Sequence, residues 1–271
     1  MPKTARIAAL FLVGALVAPL AALADNSITA AGSTALLPLV KEAAEQYQAK
    51  HPDVKIAVSG GGSGTGINQV AQKAIDLGDS DIVATGHPEL VDHRVAVTGF
   101  AVIAHPGVGV TNLTKKQLQD IFSGKVASWK EVGGADVRVT VINRPRNSGT
   151  RAVFTKTVMG DVPLSAAGLT EDATGSVVTT VKSTPGAVSY AAFSGTRGQG
   201  LTELSIDGVA PTDDNVTSGK YPVWSYEHMF TNGPPGPDIS RFLAFITSNS
   251  DLVHKAGYIL LRDMKVTETD R

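Results

Sequence analysis

The sequence predicts an α/β fold divided between two modest lobes, and three observations lead there. Short β-branched runs alternate with amphipathic helical patterns along the chain, the pattern of strands covered by helices. The chain has 271 residues, more than the commonest single-domain size. Glycine is plentiful, with 28 residues, while aromatic residues make up only 6%. That balance suits tight turns and close backbone approaches better than broad hydrophobic binding faces.

The first 24 residues read as a leader. Lys3 and Arg6 form a basic start, an uncharged apolar run follows from Ile7 to Leu23, and Ala22-Leu23-Ala24 closes it. These are the three parts of a secretory signal peptide, with the mature chain beginning at Asp25. A membrane anchor is the competing reading, since spanning helices need roughly 17–25 apolar residues. Gly14 and Pro19 interrupt the run and a small-residue cleavage site ends it, which favours the cleaved leader. The sequence has no cysteine, so disulfides, thiolate metal sites and lipid attachment at a processed cysteine are excluded. The expected destination is the periplasm, which tolerates disulfides without requiring them.

The elements then follow in order. Leu36 to Lys50 carries Leu36, Val40, Ala43, Ala44 and Tyr47 on one helical face, and Pro52 stops it. Val54 to Val58 alternates as a strand. Gly66 to Ile75 is helical by the spacing of Ile67, Val70, Ala71, Ala74 and Ile75, and Asp81 to Ala84 reads as a short buried strand. Val95 to Ala104 is a long apolar β run suited to crossing between lobes. Thr114 and Gln117 stand in capping-box positions, starting a helix that runs to Phe122. Val137 to Ile142 reads as a strand and Arg151 to Met159 as a helix. After Tyr221-Pro222-Val223 the chain turns through Thr231 to Gly236, and a last amphipathic helix spans Ile239 to Thr247.

Charge excludes one broad class. Lys and Arg total 24 against 25 Asp and Glu, and nothing resembles a basic nucleic-acid stripe. Catalytic patterns are missing too. Gly61-Gly62-Ser63-Gly64-Thr65 fails the nucleophile-elbow pattern at its last position, and Ile67 follows Gly66 where a phosphate-binding P-loop needs lysine. The six histidines show neither His-x-His nor His-Glu-x-x-His spacing, so no metal centre or cofactor is expected.

Three helix starts share one design: Gly32-Ser33-Thr34, the Ser59 to Gly66 loop, and Asn147-Ser148-Gly149-Thr150. Each sets small hydroxyl residues and glycine where the first helical amides lack partners and the helix dipole is positive. Such an end is a ready anion site, although Ser and Thr also cap helices with no ligand at all. Arg144, just before the third start, offers a planar fork for two oxygens of a tetrahedral anion; a surface or interlobe salt bridge is the other reading. Asp81 repels anions but can accept a hydrogen bond from a protonated one, which would favour hydrogen phosphate over sulfate. Its plainer reading is a turn or cap acid.

Taken in order, these stretches resemble the periplasmic phosphate-binding proteins that feed phosphate ABC transporters, within the type II periplasmic binding-protein fold. The similar stretches are Ala31-Gly32-Ser33-Thr34 with Pro38, Gly62-Ser63-Gly64-Thr65-Gly66, Asp81, and Arg144 with Ser148-Gly149-Thr150. Leu118 to Gly124, Trp129-Lys130 and Pro185 to Tyr190 extend the likeness over most of the mature chain. The resemblance implies mixed sheets flanked by helices, with two lobes joined by two crossing strands and closing over dehydrated phosphate. Residues 25–98 with 228–271 would form the first lobe, and residues 99–227 the second. By position, Thr34, Ser63, Ser148 and Thr150 would donate hydroxyls, with Ser33 in the same set. Ala35, Gly149 and Thr150 would donate backbone N–H groups, Arg144 would supply charge, and Asp81 would accept the phosphate proton. The implied partners are inorganic phosphate and, transiently, a membrane ABC permease. The mature protein would be a monomer outside the membrane, would bind no nucleic acid and would not be an enzyme.

The sequence departs from the family at Arg146, where relatives often carry an acidic residue that partners the arginine. Arg146 is expected either to point outward or to make the cleft more positive, loosening discrimination against sulfate or arsenate. Ala35 also replaces an aromatic found in some relatives, which leaves less apolar wall beside the ligand. Capture of sulfate, molybdate, tungstate or arsenate is the alternative function. An exported signalling or adhesion module on the same scaffold is a third reading, because fold does not fix function.

Overall fold

The computed structural model describes residues 26–268, so the leader assigned to residues 1–24 lies outside the described residues. Ten strands form one curled mixed sheet: β1 (Asn26–Gly32), β2 (Val54–Gly60), β3 (Leu77–Ser80), β4 (Leu90–Ala104), β5 (Asn112–Leu113), β6 (Thr140–Asn143), β7 (Leu169–Thr170), β8 (Ala187–Ala192), β9 (Thr202–Ile206) and β10 (Trp224–Asn232). Their order is β2-β1-β3-β10-β4-β8-β6-β7, with β9 pairing β4 and β5. Parallel pairing sets Gly60, Gly32 and Asp79 side by side at the carboxyl ends of β2, β1 and β3. Ligands of open α/β sheets collect at such ends.

The helices are α1 (Leu37–Lys50), α2 (Ser63–Ala71), α3 (Lys115–Phe122), α4 (Gly149–Phe154), α5 (Thr174–Ser183), α6 (Phe193–Thr196), α7 (Asp213–Thr217), α8 (Pro237–Ser248) and α9 (Ser250–Lys255). The expected face of α1 is the one it buries, through Leu39, Val40, Ala43, Ala44 and Tyr47. Helix α3 opens on the Thr114–Gln117 capping box. In each case a local signal, periodicity or a cap, was enough.

Two large hydrophobic cores define two lobes. One gathers Ile28, Leu39, Val40, Tyr47, Met229, Phe242 and Ile246. The other gathers Phe100, Val102, Phe122, Trp129, Phe154, Tyr190 and Leu204. Strand β4 crosses between them, since Val95 and Ala96 belong to the first core and Val97 onward to the second. Strand β10 crosses back, with Trp224 and Tyr226 in the second core and Met229 in the first. The tail then returns: Ile259 belongs to the second core, and Leu261, Met264 and Val266 pack against it. Behind α4, Phe154 stacks on Tyr190 with ring centroids 4.1 Å apart and Phe122 leans on Phe154 at 4.7 Å. Truncating such a ring costs about 3–5 kcal/mol, so α4 stands on a firm base.

Five local expectations are corrected. Helix α2 begins at Ser63 rather than Gly66 and ends at Ala71 rather than Ile75. Gly66 lies inside it at a point where a side chain would meet Ala31 O at 2.6 Å, and Lys73 turns left-handed at φ 58° to end it. The strand expected at Asp81–Ala84 is β3, Leu77–Ser80; the Ser80 hydroxyl bonds the Ile82 N–H and carbonyl, turning the chain away. The strand expected from Val137 shrinks to β6. Val137 O already accepts from Trp129 N at 2.9 Å, and Val139 N donates to Ala127 O at 2.9 Å. Helix α4 starts two residues early, on the Ser148 cap, and passes into a π-helical turn over Thr155–Met159. Strand β10 was not foreseen: its alternation is hidden because both of its faces are buried.

Candidate functional site

The site lies where the ends of β1, β3 and β6 meet the starts of α2 and α4. Ser33 follows β1 directly, and its hydroxyl accepts from Ala35 N at 3.0 Å and Leu36 N at 3.1 Å. It caps the turn into α1 and donates its own proton to Asp81 Oδ1. Ser63, the first residue of α2, accepts at Oγ from Asp81 N at 2.9 Å. Thr150, in the first turn of α4, donates to Asp81 Oδ2 at 2.8 Å. Asp81 therefore gathers residues from three elements, and both of its oxygens take hydroxyl donors.

The close fit demands glycine at one point. A side chain on Gly149 would meet Ser63 Oγ at 2.2 Å and Asp81 Cβ at 2.9 Å. Gly149 and Thr150 are the first two residues of α4, so their amides lack intrahelical acceptors. Ser148 caps the same helix, accepting from Arg151 N at 3.2 Å.

Arg144 leaves the end of β6 and is 1% exposed. Its Nη2 donates to Thr34 Oγ1 and to Asp172 O, both at 3.1 Å, while Nε and Nη1 have no partner among the described residues. Thr34 Oγ1 also accepts from Thr174 N at 3.3 Å. Arg151 braces the strand end by donating to Arg144 O. All nine expected residues thus sit within this network or at its helix ends. Ala35 is among them, but its N–H is already engaged by Ser33. Arg146 takes the outward alternative, with its side chain exposed.

Three participants were missed. Thr174 starts α5 with the same Thr-Gly-Ser composition as the other helix starts, so a signal for it existed. Asp172 contributes through its carbonyl, which carries no residue-type signal. Asn147 was read only as part of a motif, yet it binds Gly61 O at 2.8 Å and Thr65 Oγ1 at 3.0 Å. A groove of about 590 Å³ runs past Thr34, Gly60, Gly61, Pro145, Asn147 and Asp172 and opens this region to solvent.

The electrostatics are opposed and close together. Burial lowers the pKa of Arg144, while the charge of Asp81 pulls it back up. Burial raises Asp81, and the Ser33 and Thr150 hydroxyls and Arg144 counter that rise. Beneath them lie two more buried acids. Asp79 is raised by burial and then by Asp81; Glu227 is raised by burial and then by Asp81 and Asp79. No group of described residues assembles a metal-binding cluster.

The two-lobed fold and this nest of inward donors are those of a solute-binding protein. The profile of the PBP superfamily domain matches residues 18–250. The phosphate-binding protein PstS of Bacillus subtilis is 43% identical over 252 residues, covering 90% of this chain and 84% of that one. The chain belongs to the PBP superfamily and, within it, to the family of PstS phosphate-binding proteins. PstS of Borreliella burgdorferi is 25% identical over 87% of this chain and 90% of its own length. A Clostridium perfringens structure with bound phosphate superposes at a TM-score of 0.81, with 29% identity over 87% of this chain and all of that one (100%). An ABC-type phosphate transport receptor from Vibrio cholerae gives 0.71, with 27% identity over 86% and 99% of the two chains.

Proposed function

We propose that this protein captures inorganic phosphate between its lobes in the periplasm and hands it to an ABC permease. The observation that carries the reading is Arg144. A guanidinium that is 1% exposed, with two nitrogens lacking an acceptor among the described residues, is costly unless an anion joins it. A tetrahedral oxyanion there meets the hydroxyls of Thr34 and Ser63 and the first amides of α4, and the Ser33 and Thr150 hydroxyls turn from Asp81 to the anion as it binds. The phosphate-binding relatives in Bacillus subtilis and Clostridium perfringens support the choice of anion.

Asp81 supplies the selectivity. Its carboxylate accepts the proton of hydrogen phosphate, whereas a fully ionised sulfate brings an uncompensated repulsion beside a buried acid. Residues 25–98 with 228–271 form one lobe and residues 99–227 the other, except that the tail packs Ile259, Leu261, Met264 and Val266 on the second lobe's core; β4 and β10 are the hinge. Closure adds donors from the second lobe and is stabilised by them. The chain is exported through its leader and works as a monomer without catalysis or nucleic-acid contact.

The test is a thermal melt of protein stripped of ligand by unfolding and refolding, titrated with phosphate and with sulfate. Ligand at a thousand times its dissociation constant adds about 4.1 kcal/mol, or roughly 8–16 °C here. A shift with phosphate alone is expected. Equal shifts with both anions would make the protein a broad oxyanion binder, and no shift with phosphate would end the proposal.

A further inference from the structure

Asn147 stands at the mouth of the groove, on the loop between β6 and α4, and is exposed. Its side-chain Nδ2 donates to Gly61 O at 2.8 Å and to Thr65 Oγ1 at 3.0 Å. Its own carbonyl accepts from Gly64 N at 2.9 Å. One residue of the second lobe therefore makes three hydrogen bonds to the glycine-rich segment of the first.

The glycines of that segment are shaped around this contact. A side chain on Gly62 would come within 2.9 Å of Asn147 O and 3.2 Å of its Nδ2. One on Gly64 would meet Asn147 Cβ at 3.3 Å. Gly62 also holds φ +88°, a conformation side chains rarely adopt. Anion approach was the expected use of these glycines; the close approach that Gly62 and Gly64 permit is to Asn147.

We propose that Asn147 is a latch, a positioning residue that holds the lobes shut from outside the anion pocket and thereby sets how fast the anion leaves. Its two side-chain bonds and one main-chain bond join groups on separate lobes, so opening the cleft breaks them together. The latch acts on the closed state whether or not an anion is inside, and its effect on affinity rests on the phosphate reading given above. Thr65 is the receiving side chain, and Gly62 and Gly64 keep the seat clear.

The test compares wild type with N147A and T65V. Inorganic phosphate dissociation is followed by stopped flow, and small-angle X-ray scattering is recorded on ligand-free protein. N147A should release phosphate about tenfold faster and T65V about threefold faster, from the loss of two and one modest hydrogen bonds. Association should change less than twofold, and ligand-free N147A should have the larger radius of gyration. Unchanged release and unchanged scattering in N147A would overturn the latch. If wild type binds no phosphate, the functional reading fails and scattering alone decides the latch: expansion in N147A supports it, and no change overturns it. Should N147A not fold, T65V carries the same comparison.

Discussion

Thr150 Oγ1 donates to Asp81 Oδ2 at 2.8 Å, joining the first turn of α4 to the end of β3 across 69 residues of chain. With Ser33 on the other oxygen, the carboxylate is held in place by one hydroxyl from each lobe. Asp81, the proposed filter for the anion, is thus also part of the contact between the lobes.

Replacing Asp81 with Asn removes the charge and one of the two acceptor oxygens and adds a donor. Phosphate affinity should fall about tenfold, the value of one charge-assisted bond, while sulfate becomes measurable by calorimetry. An unchanged preference for phosphate over sulfate would remove Asp81 from the selectivity argument.

The same residue sets a pH dependence. Burial holds its pKa above the ordinary aspartate value, so on acidification it gains a proton earlier than an exposed aspartate would. Phosphate affinity should therefore decline as pH falls through that raised value. In D81N the decline should shift to the titration of the ligand alone, as read from dissociation constants between about pH 4 and 8.

Arg144→Met separates binding from folding. Loss of a buried charged donor set costs roughly 2–5 kcal/mol of binding, so phosphate affinity should drop by about 30-fold or more. The ligand-free melting temperature should hold or rise, because a partly unpartnered buried charge is gone and the volume is kept. A large fall in ligand-free stability would show that Arg144 is chiefly a structural brace through Thr34 and Asp172.

Glu227 predicts a stability slope. An unfolded glutamate titrates near 4.3, while burial, Asp81 and Asp79 push the folded value well above that. The folded chain keeps a proton that the unfolded chain has lost. The stability this gives is full below about pH 4 and falls as pH rises through the raised folded value. E227Q should flatten that slope, melting ~2–4 °C higher than wild type near neutrality for each kcal/mol recovered. Parallel melting curves from about pH 4 to 8 would contradict it.

Gly149→Ala and Gly66→Ala should fail differently. At Gly149 the new methyl strikes Ser63 and Asp81 across the lobes, and at Gly66 it strikes the Ala31 and Asp79 carbonyls within one lobe. G149A should lose phosphate binding with little change in ligand-free melting. G66A should lose about 1–3 kcal/mol of stability through overpacking, visible in urea titration.

Much of the fold was legible because its signals are local. The α1 face follows from 3.6-residue periodicity, α3 from the Thr114–Gln117 box, and the Ser148 cap from residue type. Signals that depend on neighbours were displaced. Val137 and Val139 look like strand, but Trp129 and Ala127 already claim their backbone groups. The seat of Asn147 looks like an anion loop, because a glycine requirement has the same sequence form whatever the close neighbour is.

The sequence by itself determined which residue types stand at each helix start, that Arg144 precedes one of them, and which family the order of motifs resembles. Tertiary structure decided that Ser33, Ser63, Asp81 and Thr150 share one point, and that Asp79 and Glu227 are buried beneath it. It also decided that Asn147 reaches the glycine segment across the cleft. The reason is range. Caps and amphipathic faces arise from interactions within a few residues, whereas these meetings depend on the strand order β2-β1-β3-β10-β4-β8-β6, which no local pattern encodes.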